Sequence, residues 1–138
     1  MPANPRISGQ QGSGAVVESF HNYSTALAEG VLVKVDANLP AAAKLGGCVA
    51  TAATTDKNVL GITLEAIAAG ADGRVLTGGG IAVCTAAGAI TYGDPLMPGS
   101  VAGTVSTRTT GKPFVGWARA SAADTAQVPV LVHIVDPS

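Results

Sequence analysis

The chain has 138 residues and a formal net charge of −1; 47% of its residues are hydrophobic, 4% aromatic and 12% charged. That length suits one domain with a modest core, and the basic residues stand singly, which excludes the clustered Lys and Arg that a nucleic-acid backbone requires. The 18 glycines and 8 prolines demand many turns, and the apolar content is mostly Ala and Val, so a thinly packed all-β domain is expected.

Residues 1–14 read as an extended N-terminal arm. Pro2, Pro5, Gly9, Gly12 and Gly14, mixed with Ser8, Gln10, Gln11 and Ser13, leave no apolar face to bury. The opening Met1-Pro2-Ala3-Asn4-Pro5-Arg6 lacks the charged-then-apolar order of a secretory leader. Within the arm, Asn4, Pro5, Arg6, Ile7, Ser8, Gln10 and Gln11 are the candidate contact residues. Arg6 can fork onto a carboxylate, and Ile7 can fill a small apolar pocket. The folded domain is expected over 15–138.

From Ala15 onward the pattern alternates. Val31, Val33 and Val35 predict a half-buried strand with Leu32, Lys34 and Asp36 on its other side, ended by Asp36-Ala37-Asn38-Leu39-Pro40. Further strands are predicted at 47–52, 59–64, 74–77, 81–85, 101–107, 114–118 and 128–135, with Gly78-Gly79-Gly80 as a hairpin turn. Thr91-Tyr92-Gly93-Asp94-Pro95 and Met97-Pro98-Gly99-Ser100 read as tight turns around a very short extended piece. The Ala-rich stretches 65–71 and 118–126 are too short for stable helices and read as loops with at most one helical turn. The most apolar stretch, 80–90, is interrupted by Thr85 and Gly88 and cannot span a bilayer, so no membrane partner is expected.

One block occurs twice. Val59 to Thr77 and Phe114 to Val132 align without a gap, 55 positions apart (116 − 61 = 55): an apolar pair, a glycine, a short strand, an Ala-rich connection, then a second apolar strand. Neither copy carries obvious chemistry. The fold class that follows is a compact, small β-barrel or β-tulip-like domain with an internal strand–loop–strand duplication, minor helical turns and the extended arm.

Chemical motifs fail on inspection. Gly111-Lys112 is followed by Pro113, where a phosphate loop needs a hydroxyl. Gly9 to Gly14 has no strand before it, so it is no dinucleotide fingerprint. His21 and His133 lack ligand spacing, although Asp136 follows His133, and no GxSxG elbow or carboxylate pair is present. Cys48 and Cys84 read as two buried thiols, with a disulfide between them left open. Asn22-Tyr23-Ser24 matches a glycosylation sequon, which means nothing without export. Lys57, after Asp56, resembles the turn lysine of a lipoyl or biotinyl carrier, but Thr54-Thr55 and Asn58 depart from that motif. No enzyme activity, cofactor or metal is expected.

A broader resemblance covers about residues 28 to 135. Val59-Leu60-Gly61-Ile62-Thr63-Leu64, Arg74-Val75-Leu76-Thr77-Gly78-Gly79-Gly80-Ile81, Ala86 to Leu96, Val115-Gly116-Trp117-Ala118-Arg119-Ala120 and Val128 to Ile134 resemble tailed-phage capsid decoration (cement) proteins. These are similar to the head-stabilising protein of lambda-like phages. The resemblance implies a structural protein on the outer surface of the virion, assembled in the host cytoplasm, with the major capsid protein as partner and a homotrimer on the expanded head. It carries over no catalytic residue. The alternatives are a β-fold adhesion or tail-fibre module, the carrier domain, and a small-ligand binder. The adhesion module would need exposed aromatics, and Trp117 is expected on a core strand.

Overall fold

The computed structural model describes residues 15–43 and 46–135. Nine strands follow one another: β1 (Val16–His21), β2 (Leu32–Val35), β3 (Cys48–Ala50), β4 (Val59–Thr63), β5 (Asp72–Thr85), β6 (Pro95–Pro98), β7 (Val105–Thr107), β8 (Phe114–Ala118) and β9 (Gln127–Val135). They form an antiparallel sheet in the order β3-β2-β4-β5-β9-β8-β6-β7, curled into a half-barrel, with β1 on β5. The described residues contain no helix, so 65–71 and, after Ala118 at the end of β8, 119–126 are loops without even a single helical turn.

The duplication is real and reaches well beyond the block visible in the sequence. Ile62 pairs with Leu76 and Thr63 with Val75; their counterparts Trp117 and Ala118 pair with Leu131 and Val130. The correspondence continues outward, since Leu32 opposite Ile62 matches Pro95 opposite Trp117. Val33 opposite Ala50 matches Leu96 opposite Thr107. It also continues backward: Val17 opposite Leu76 matches Ile81 opposite Leu131, and His21 opposite Asp72 matches Thr85 opposite Gln127. Repeat one is therefore β1-β2-β3-β4 with the first half of β5. Repeat two is the second half of β5 with β6-β7-β8-β9.

Several sequence expectations need correction. Gly78-Gly79-Gly80 makes no hairpin, because the flanking segments find different partners. Leu76 pairs with Val17 and Ile62, whereas Ile81 pairs with Leu131. β5 runs straight through, and the glycines sit where its register with β9 breaks, Gly79 at φ 74°. Residues 95–98, expected to be mostly turn, form β6, with Pro95 and Pro98 at its ends, where a missing N–H is tolerated. Of 101–107 only Val105–Thr107 is strand, because Gly99 N–H donates to Thr104 C=O and closes a turn. β2 is not half-buried along one face: Leu32 and Val33 are both fully buried, while Val35 is exposed.

That last correction explains the core. Leu32, Val59, Ile62 and Leu76 point into a large cluster shared with Cys84, Leu96, Val115, Val128 and Val130 of repeat two. Val33 and Val75, on the opposite face of β2 and β5, join Cys48 of β3 and the loop residues Leu27 and Ile67 in a second cluster within repeat one. Repeat one is thus a sheet with apolar residues on both faces, as strands covered on both sides require. Its rear face packs against the front face of repeat two.

Candidate interaction surfaces

The sequence-predicted contact residues Asn4, Pro5, Arg6, Ile7, Ser8, Gln10 and Gln11 lie outside the described residues, as does Asp136. Among the described residues no three His, Cys, Asp or Glu side chains converge as metal ligands. Cys48 and Cys84 are buried and free of each other, which resolves the open alternative toward thiols. Cys84 donates to the Gly103 carbonyl at 3.4 Å, and desolvation pushes its thiol up to about 12. Burial also raises Cys48, with help from the Asp36 charge. Asn22, the sequon residue, is fully buried. Its amide donates to the carbonyls of Thr25 and Ile67 and its oxygen accepts the Ser24 N–H, so it braces a loop.

A cleft of about 630 Å³ lies beside β2 and β3, lined by Tyr23, Lys34, Asp36, Asn38, Asp56 and Lys57 among others. Its carboxylates hold the surrounding loops. Asp56 accepts the N–H groups of Ala52 and Ala53 and an ion pair from Lys34 at 3.1 Å, and Asp36 accepts the Asn38 N–H at 2.9 Å. Lys57 sits exposed in the 51–58 connection between β3 and β4, away from any carrier-type hairpin tip. Both this connection and 36–47 are longer than their repeat-two counterparts, 108–113 and 99–104.

A different surface is built by the rear face of repeat two. Trp117 was expected on a core strand, and β8 does bury Val115 and Ala118, but Trp117 itself is 39% exposed, beside Ile81 at 56% and Val83 at 44%. The cross-strand row Pro95–Trp117–Leu131–Ile81 runs over four strands. Phe114 meets Trp117 edge-on with ring centroids 4.8 Å apart, and His133 stacks on Trp117 at 5.6 Å. The counterparts of Pro95, Phe114, Trp117 and Leu131 in repeat one are Leu32, Val59, Ile62 and Leu76, all buried in the shared cluster. The sequence did hold a signal for the difference. Arg119 and His133 share the alternation of Trp117 and Leu131, and they stand where repeat one has Leu64 and Gly78. A charge and an imidazole on that face mark it as facing solvent. Burying a side chain the size of Leu or Ile there would contribute about 1.5–3 kcal/mol.

Among solved structures, the chain is similar to the head fiber gp8.5 N base of bacteriophage phi29, with a TM-score of 0.65 over 90% of this chain and 98% of that one, at 14% identity. No family model matches the sequence, and no curated protein matches it. At that identity the likeness establishes a shared fold.

Proposed function

We propose that this chain is a structural protein of a tailed-phage head, a decoration protein that binds the outer surface of the expanded shell and holds neighbouring major capsid subunits together. The observation that carries this reading is the fold shared with a head fibre base over nearly the whole of both chains. The motif order read in the sequence, which resembles the lambda-like decoration family, points the same way. The mechanism needs no chemistry. A protein that binds only the expanded lattice stabilises that lattice by mass action, and a homotrimer multiplies a modest contact because its later contacts become intramolecular.

Attachment is assigned to the arm. Arg6 meets a capsid carboxylate, Ile7 fills an apolar pocket, and Asn4, Pro5, Ser8, Gln10 and Gln11 carry the segment along a sheet edge of the neighbouring subunit as an added strand. The likeness to a head fibre favours a second reading, the base of a fibre or adhesion module, which would occupy few sites on a head and carry a projecting density. The test is binding to purified expanded and unexpanded heads. Saturable binding to expanded heads, weak binding to unexpanded ones and loss of attachment on deleting residues 1–12 support the decoration reading. Equal binding to both states removes the differential affinity on which stabilisation depends.

A further inference from the structure

We infer that the rear face of repeat two, centred on Trp117, Leu131 and Ile81, is a self-association surface that seats a second copy of this chain. The argument rests on the internal duplication. The same face of the same unit occurs twice in one molecule, and in repeat one its centre is covered: Leu32 is 0% exposed, Ile62 1% and Leu76 3%, while Val17, the counterpart of Ile81, lies at its open edge at 45%. What covers it is another copy of the unit, the front of repeat two. A tandem stack of two units leaves the rear of the last one without its cover. That is where its single tryptophan, Trp117, is 39% exposed although its counterpart Ile62 is 1% exposed, with Ile81 and Val83 extending the open apolar surface along the edge.

The composition of the face fits a protein occupant. Apolar residues run across four paired strands, with the Phe114–Trp117–His133 aromatic group beside them and Arg119 continuing the alternation of β8. An aromatic anchor amid aliphatic side chains is the usual centre of a protein–protein contact. Further head-to-tail stacking is closed off, because the front of repeat one already buries Val33, Cys48, Ile67 and Val75 in its own cluster. The uncovered face therefore meets the same face of other copies around the three-fold axis of the proposed homotrimer, an arrangement that closes and does not grow into fibres. This deepens the assembly part of the proposed reading and is independent of head attachment, so each can fail alone.

Trp117 is the sole tryptophan, so its fluorescence reports on this face directly. The experiment uses the full chain and Ile81→Asp, a substitution at an exposed position that leaves Trp117 in place. Sedimentation and acrylamide quenching are followed up to about 100 µM, with circular dichroism to confirm the fold. The unsubstituted chain is expected to associate as concentration rises, with a blue-shifted and shielded tryptophan. Ile81→Asp, equally folded, should weaken association at least about tenfold and restore quenching. A monomer with freely quenched Trp117 throughout overturns the inference, and so does an oligomer in which Trp117 stays open. Shielding of Trp117 only on expanded heads, with no association between free copies, also overturns it and gives the face to the capsid.

Discussion

Gly61 and Gly116 occupy one structural position in two copies of the same unit. A methyl group on Gly61 would collide with the carbonyl oxygen of Leu76, and one on Gly116 with that of Leu131, the corresponding residue across the corresponding strand pair. Both backbones are in the positive-φ region, at 156° and 153°. Neither collision can be relieved by a side chain turning away, because the obstacle is backbone. Gly61→Ala and Gly116→Ala are each expected to destabilise the protein by about 1–3 kcal/mol, read from urea-melt midpoints. A neutral result at either site would break the equivalence of the two strands.

Gly70 and Thr125 form a second equivalent pair. Both adopt left-handed backbone, at φ 82° and 69°; Gly70 N–H donates to Asn22 C=O and Thr125 N–H to Ala86 C=O. A β-branched residue is strained there, at a cost of about 1–3 kcal/mol, while glycine gives back about 0.4–1 kcal/mol through the unfolded chain. Thr125→Gly is expected to raise the melting temperature, and Gly70→Thr to lower it.

Partial burial alone would raise the Asp56 carboxyl, but the N–H groups of Ala52 and Ala53, with Lys34 beside it, outweigh that and hold it below the usual value. A depressed folded-state pKa stabilises the protein above the unfolded pKa of about 3.9 and is lost as pH falls through the folded value. The melting temperature should therefore decline as pH drops below about 4. Asp56→Asn should flatten that decline and weaken the 51–58 connection at neutral pH.

The raised Cys84 thiol predicts the opposite slope in alkali. Its stabilising effect is complete below the ordinary value of 9.0 and is lost as pH rises toward about 12. At neutral pH neither thiol should react with an alkylating reagent in the native protein, so labelling should follow global unfolding. Fast modification of Cys84 under native conditions would show that the shared cluster opens locally.

The fold class, β8 and the core of the duplication could be read from the sequence because gapless spacing and period-two alternation are local signals. What escaped depended on distant partners. β1 is exposed along most of its length, so Val16-Val17-Glu18-Ser19 carries no alternation to read. The glycine triplet has hairpin chemistry, yet Leu76 and Ile81 are claimed by different strands. The full repeat was hidden because 36–47 is longer than 99–104, which shifts the spacing between copies. Trp117 was misplaced for a further reason. Its counterpart Ile62 is core, and only the packing of one half of the curled sheet on the other puts one in the interior and the other on the surface.

The most direct measurement is a cryo-EM map of expanded heads saturated with the full chain, compared with heads given the chain lacking residues 1–12. The account predicts regular density on the outer shell, with Asn4 to Gln11 ordered along a capsid subunit, and bare heads after the deletion. Full occupancy without the arm would contradict its assigned role, and bare heads with the intact chain would contradict the head-binding reading itself.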